Sequence, residues 1–246
     1  MDNPESLFDV ERFRTEPRRL AVVREVLAPT LVLGSTQPPD VVAHPAVRAR
    51  GVTLARRRGG GGAVYLAPGD PLWLDAWIPR HDPLWRRDVS VATGWVGQWW
   101  LDALAPWGLH GLEIHAGRAV PGELGDLVCF AGRGPGEVFQ RGRKVVGLSQ
   151  WRAREGALFS SCAYLHWDPR PLAELLEADG AAADGLAREL APLAAGLDDI
   201  EPELDAGPDH GRGDLSALAE ALLGSFAGYG TDPSPDGTPG PAQPRS

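Results

Sequence analysis

Between Arg56 and Gly69 the chain reads Arg-Arg-Arg-Gly-Gly-Gly-Gly-Ala-Val-Tyr-Leu-Ala-Pro-Gly. Glycine admits positive φ and close approach of a ligand to the main chain. A run from Gly59 to Gly62 is therefore a loop, and the β-prone Ala63-Val64-Tyr65 leaves it as a strand. A strand after the loop excludes the dinucleotide-binding arrangement, where a helix follows the glycines. No Gly-Lys-Ser/Thr follows either, which excludes a Walker A loop. Successive backbone N–H groups in such a loop form an anion-binding concavity. The preceding arginines add planar forks suited to phosphate or carboxylate. The stretch reads as a cradle for an anion, with a plain flexible turn as the alternative.

A second stretch, Gly142-Arg143-Lys144-Val145-Val146-Gly147-Leu148-Ser149-Gln150, holds Lys144. It is the only lysine among 24 basic residues, so every other one is arginine. Lysine offers a compact charge with three rotatable donors, which arginine does not. The functional reading is an ammonium aimed at a phosphate or carboxylate; the plain one is a solvated strand residue.

These two stretches resemble the lipoate–protein ligase A family, within the wider biotin/lipoate ligase and octanoyltransferase group. That family carries Arg-Arg-x-Ser/Thr-Gly-Gly-Gly-Ala-Val-Tyr/Phe-His-Asp-x-Gly, in whose place stands Arg56 to Gly69. It also carries Gly-Arg-Lys-Val/Ile-x-Gly-x-Ala-Gln, in whose place stands Gly142 to Gln150. Leu33-Gly34-Ser35-Thr36-Gln37 is similar to its Leu-Gly-x-x-Gln segment. The resemblance runs from about Leu20 to Asp168. It departs at Gly59, where the family has Ser/Thr, and at Leu66-Ala67, where it has His-Asp.

The resemblance implies an ATP-dependent ligase that forms an acyl-adenylate from lipoate or octanoate and passes the acyl group to a lysine of an acceptor protein. The acceptor would be of lipoyl-domain or H-protein type, and Mg2+ would accompany ATP. Arg57, Gly60, Gly61, Gly62, Ala63, Val64, Tyr65 and Gly147 would contact the nucleotide or adenylate, and Lys144 would contact both carboxyl and phosphate as the catalytic residue. Leu33, Val64 and Val146 lie on strands able to line an acyl slot. The resemblance also implies that the further C-terminal domain of many such ligases is absent or a separate polypeptide.

Two alternatives remain open. Octanoyltransferases of the same fold use a cysteine and an acyl-carrier protein without ATP, and Cys129-Phe130 stands where one branch has its nucleophile. A nearby lysine lowers a thiol's pKa; against this, free cysteine is often an inert core residue. The intact Gly-Gly-Gly-Ala-Val-Tyr favours the ligase, since the cysteine branch tends to carry arginine where Gly62 stands. The other alternative is a non-catalytic acyl- or nucleotide-binding paralogue, suggested by Gly59 and Leu66-Ala67 and opposed by Lys144.

Composition sets bounds on these readings. A net charge of −9 over 246 residues argues against nucleic acid or an anionic membrane as a partner, and makes the arginine cluster a local feature. Cys129 and Cys162 make no framework, as in a reducing cytoplasm. The histidines show no metal-ligand spacing, so no protein-bound metal is expected. No basic, apolar leader and no apolar run near ~20 residues is present, which predicts a cytoplasmic chain.

The pattern predicts an α/β (α+β) fold: a mixed, mainly antiparallel sheet flanked by helices, similar to the class II synthetase–biotin ligase fold. A catalytic domain spans residues 1–228, followed by a disordered Pro/Gly-rich tail over 229–246. Ser6 to Phe13 reads as a short helix. Strands are expected at Leu20–Leu27, Thr30–Leu33, Val52–Ala55 and Ala63–Leu66, the last two paired as a hairpin. Leu72 to Ile78 alternates as a strand with Asp75 facing outward. Asp88 caps a helix reaching Ala105, whose Trp99-Trp100 read as core rather than as an aromatic box. Leu127–Phe130 reads as a strand. Glu137–Gln140 and Lys144–Gln150 form a hairpin turning at Arg141-Gly142. Ala157–Leu165 follows as a strand, then helical Pro171–Leu197 and an acidic loop over 198–213. Last comes a helix capped by Asp214, with Leu215, Leu218, Leu222 and Phe226 on one face.

Overall fold

A computed structural model describes residues 10–109, 111–200 and 214–230. The expected helix at Ser6 lies outside them up to residue 9, as do most of the acidic loop and the tail beyond Gly230.

Among the described residues, nine strands form two sheets. The larger has six: β1 (Leu20–Arg24), β5 (Leu72–Pro79), β9 (Gly156–Ala163), β8 (Arg143–Arg152), β7 (Val138–Gln140) and β6 (Leu112–Ile114), in that spatial order. Every neighbour in it is antiparallel. The smaller sheet orders β3 (Thr53–Arg56), β2 (Thr30–Leu33) and β4 (Val64–Leu66), with β2 parallel to β3 and antiparallel to β4. The chain is thus α+β with a mainly antiparallel sheet, as expected. The expected hairpin between β3 and β4 is corrected: β2 lies between them, so the glycine loop bridges two strands that do not touch.

The hairpin of β7 and β8 turns at Arg141 (φ 49) and Gly142 (φ 81), with Gln140 opposite Arg143. Two residues at positive φ are what a two-residue turn matched to strand twist requires. Phe139 pairs with Lys144 and Val138 with Val146, so Val145 is an extra residue bulged out immediately after Lys144. Such bulges re-aim side chains and occur beside active sites.

Both faces of the larger sheet are covered. On one, α3 (Gly94–Leu104) and α6 (Leu215–Phe226) pack over Leu72, Leu74, Ala76 and Ile78 of β5. On the other lies the small sheet with α4 (Arg170–Leu176) and α5 (Gly180–Leu190), against Trp73 and Cys162. Two short helices, Glu11–Arg14 (α1) and His44–Ala49 (α2), complete the order. Phe13 of α1 meets Trp77 in a third cluster beneath β1. This double cover corrects the reading of Asp75. Alternation holds along β5, but its odd face meets protein instead of water. Asp75, 2% exposed, accepts from Arg24 Nε (2.7 Å), Ser160 Oγ (2.6 Å) and Trp73 Nε1 (3.1 Å). Val146 belongs to the α3 side while Leu33 and Val64 belong to the other, so the three cannot line one acyl slot.

Helix α3 starts at Gly94, later than expected. Asp88 instead closes a turn, accepting from the backbone N (2.8 Å) and Oγ (2.7 Å) of Ser90. Trp99 and Trp100 are core, with indole N–H groups bonded to Ser225 Oγ and Ser161 Oγ. Leu127–Phe130 is not a strand. Val128 makes a single parallel bridge to Ala63, and the chain then bends into a 3-10 turn at Cys129–Ala131. Asp214 caps α6 as expected, accepting from the N–H groups of Ser216 and Ala217. Tyr229, assigned to the tail for its glycine-rich company, is buried among Trp95, Trp99 and Phe226 and donates to Asp102 Oδ2 (3.0 Å). The packed domain therefore extends past residue 228.

Candidate active site

A cavity of about 430 Å³ opens where the glycine loop, the Cys129 turn and the β7–β8 hairpin meet. Gly60, Gly61 and Gly62 line one wall; Glu137, Lys144 and Ser149 line another; Cys129 and Arg133 contribute as well.

The glycine wall is held from behind. Arg57, 3% exposed, donates through Nη2 to the carbonyls of Gly60 (2.7 Å) and Gly62 (2.9 Å). Burial draws its pKa down from the arginine value, and the thiols and Glu137 nearby oppose that shift. The N–H groups of Gly60, Gly61 and Gly62 have no partner among the described residues. Gly61 takes φ +91, a conformation costly for any side chain. A Cβ on Gly34 would lie 1.9 Å from the Gly61 carbonyl oxygen, and one on Gly62 2.5 Å from the Val128 backbone. The cradle is thus a close stack of three main-chain segments. Gln37 ties it together, accepting from Gly34 N (2.9 Å) and donating to the carbonyls of Asp126 and Leu127 (3.0 Å each).

Lys144 is 1% exposed. Its ammonium contacts Glu137 Oε2 at 2.7 Å, donates to the Cys129 carbonyl at 2.6 Å, and lies 5.8 Å and 5.9 Å from the ring centres of Phe130 and Phe139. An ammonium has three donors, so two are committed and one is left for the cavity. Glu137 also accepts from Gly134 N (2.6 Å) and Leu148 N (3.1 Å). Burial raises the Glu137 pKa, with Lys144 and the two backbone donors opposing. The backbone of Lys144 is pinned as well, since its carbonyl accepts from Ala195 N at 2.9 Å.

Of the residues expected at the site, Gly60, Gly61, Gly62, Lys144 and Cys129 meet at the cavity. Arg57 stands behind the loop. Ala63 exchanges backbone bonds with Leu127 and Cys129. Val64 and Tyr65 are in β4, where the Tyr65 carbonyl accepts from Tyr164 Oη at 2.7 Å. Gly147 leaves room for the Phe130 ring, which a Cβ would meet at 3.0 Å. These four do not line the cavity, and neither do Leu66 and Ala67. Glu137, Arg133 and Ser149 were not foreseen. Glu137 had a signal: a lone carboxylate in Gly134-Pro135-Gly136-Glu137, entering the strand that pairs with Lys144. Among the described residues no group of three His, Cys, Asp or Glu could hold a metal, and no helix is long and apolar enough to cross a membrane. Burial pushes the Cys162 thiol well up and leaves it core.

Solved structures show the same fold. An archaeal bipartite lipoate protein ligase from Thermoplasma acidophilum, studied with its E2 lipoyl domain, aligns with TM-score 0.65 at 20% identity over 91% of this chain and 77% of that one. A lipoate-protein ligase A bound with ATP gives 0.64 at 18% identity over 90% and 78%. Protein Ta0514 of T. acidophilum with bound lipoic acid gives 0.61 at 19% identity over 91% and 79%. Comparison with curated proteins found no match. Residues 6–222 match the family described as the lipoyl protein ligase A/B catalytic domain. That match covers most of the chain and contains the whole glycine cradle and Lys144, so the protein belongs to this enzyme family, the lipoyl protein ligase A/B catalytic domain.

Proposed function

We propose that the protein is an ATP-dependent lipoate(octanoate)–protein ligase. The observation that carries this reading is the single free donor of the Lys144 ammonium, presented to the cavity opposite three unpaired glycine N–H groups. Adenylation must bring a carboxylate against an α-phosphate, two anions that repel. A buried ammonium and preorganised backbone donors offset that repulsion without reorganising as charge builds up.

In the first step a carboxylate oxygen attacks the α-phosphorus. The new O–P bond forms as the bond to the β-phosphate breaks, and pyrophosphate leaves. In the second the ε-amine of an acceptor lysine attacks the acyl carbon, AMP leaves, and the amine's proton passes to solvent. Lys144 holds the carboxyl and phosphate oxygens together, Glu137 and the Cys129 carbonyl fix the ammonium, and Arg57 fixes the glycine loop through the Gly60 and Gly62 carbonyls. Mg2+ would accompany ATP and offset the charge of its phosphates; of the two carboxylates lining the cavity, Asp126 and Glu137, the second is committed to Lys144 and the first would be the one available to it. The relative solved with its E2 lipoyl domain supports a lipoyl-domain acceptor, and an H-protein would present its lysine similarly. We place the reaction in the cytoplasm.

ATP–pyrophosphate exchange with lipoate, octanoate and biotin in turn tests the reading. Exchange driven by lipoate or octanoate is expected; none with any acid would sink it. A second reading has one observation behind it: Cys129 is half-buried and lines the cavity beside Lys144. As a nucleophile it would take an acyl group from an acyl-carrier protein. Intact mass after incubation with octanoyl-carrier protein separates the two, since only the cysteine reading produces a thioester, and Cys129→Ser keeps most ligase activity.

A further inference from the structure

Gly59 is a glycine without a conformational reason. Its φ is outside the left-handed region, unlike that of Gly61. What excludes a side chain is space: a Cβ there would stand 2.6 Å from Ser149 Oγ and 2.9 Å from Ser149 Cβ. Neither partner can easily retreat. The Gly59 carbonyl accepts from Ser35 N at 3.0 Å, and Ser149 is fixed in β8 opposite Ser160 of β9. Ser149 therefore fills the place that a side chain on residue 59 would take.

Its hydroxyl is also uncommitted. Ser160 Oγ is given to Asp75, and Ser161 Oγ bonds the Leu74 carbonyl and the Trp100 indole. Ser149 Oγ has no partner among the described residues, yet the residue lines the cavity with Lys144, Glu137 and the glycine loop. The family pattern has a hydroxyl-bearing residue where Gly59 stands and alanine where Ser149 stands. This chain has the reverse at two positions in contact.

We propose that Ser149 is a ligand-binding residue, its hydroxyl moved across from the loop to strand β8, where it donates to an anionic oxygen of the ligand that Lys144 holds. This rests on the ligase reading for the ligand's chemistry, a carboxylate or α-phosphate, and on geometry alone for the exchange of positions. Residues 59 and 149 form one reciprocal pair: two hydroxyls collide, one on residue 59 fits once the 2.9 Å approach of the two Cβ atoms relaxes by a few tenths of an ångström, and none leaves the ligand short of a donor.

The test is a cycle of Ser149→Ala, Gly59→Ser and the double variant, read by melting temperature, by calorimetric binding of ATP and of octanoate, and by pyrophosphate exchange. Ser149→Ala should melt with wild type, because its hydroxyl bonds none of the described residues. It should weaken binding of one ligand or slow exchange by about tenfold, as for a lost hydrogen bond to a charged group. Gly59→Ser alone should melt lower and exchange poorly. The double variant removes the 2.6 Å contact with Oγ but keeps the 2.9 Å approach of Cβ to Cβ, so it should melt higher and exchange faster than Gly59→Ser alone without reaching wild type. Ser149→Ala with wild-type binding and exchange would overturn the ligand contact. Losses that add in the double variant would overturn the exchange of positions. Absence of exchange in wild type would sink the ligase reading instead, leaving binding and melting to decide the pair.

Discussion

Lys144 draws its chemistry from being buried and incompletely paired. Removing it strands the Glu137 carboxylate and, on the proposed reading, takes a donor from the reacting oxygens. Lys144→Ala should slow pyrophosphate exchange by about 10²–10³, or roughly 3–4 kcal/mol, as for one preorganised donor. It should also destabilise the fold, since breaking a buried pair costs about 3–5 kcal/mol. Adding Glu137→Gln to Lys144→Ala should return stability but not exchange, which urea denaturation and kinetics together can distinguish. Lys144→Arg should not rescue, because a planar fork does not fit where a compact ammonium does. Glu137 sets a pH dependence whose sign is opposite to that of an ordinary salt-bridged carboxylate. Its folded pKa is raised, mainly by burial. Its contribution to stability is therefore fully present below the unfolded value and lost as pH rises through the folded one. Acid removes the Glu137 charge before that of ordinary glutamates, releasing Lys144 without unfolding the chain by this route. Exchange should fall on the acid side at a pH above the usual glutamate range, with tryptophan fluorescence still native there. Lys144 was legible because it is the only lysine. Glu137 was not, being one of 33 acidic residues whose burial depends on a strand pairing made at a distance.

Elements were legible where the signal is local. The β7–β8 turn follows from Arg141-Gly142 and flanking alternation, and α6 follows from Asp214 and its apolar stripe. The sequence misled where partners are chosen at long range. Nothing near Gly59 to Gly62 says that β2, which ends 26 residues before Gly59, will insert between the strands on either side. Leu127-Val128-Cys129-Phe130 is apolar enough for a strand, yet it bends because Val128 must reach Ala63 and the Cys129 carbonyl must reach Lys144. This bend makes Gly62 a fixed point. Gly62→Ala would drive a methyl into the Val128–Cys129 backbone. We expect a stability loss of about 1–3 kcal/mol, as for other overpacked sites. Because the Cys129 carbonyl is displaced with that backbone, exchange should fall more than the stability change alone explains. Gly60→Ala, which meets nothing within 4 Å, is the control that should melt normally.

Across the whole molecule, the larger sheet separates two cores, and the cavity sits with the loop side rather than with the α3–α6 side. Phe226 ties α6 to Trp95 and Trp99, with ring centres 6.1 Å and 4.9 Å apart. Phe226→Ala should cost about 3–5 kcal/mol, measured by denaturation, while the Michaelis constants of the remaining folded enzyme stay unchanged. The overall class was readable from strand-rich order followed by helices. The buried Asp75 and Tyr229 were not, because local sequence does not say that a second layer covers a face. One global property follows from the bias toward arginine. The only lysine is 1% exposed and ion-paired, so the surface carries guanidinium groups but no side-chain amine. Guanidinium stays protonated and is a poor nucleophile at physiological pH. On the proposed ligase reading, an acyl-adenylate that escapes the cavity would therefore find no side-chain amine on the enzyme's own surface, leaving a foreign lysine as its amine target. Treated with an amine-reactive ester under native conditions, the intact protein should gain a single label, at its α-amino group, and a second only after unfolding exposes Lys144.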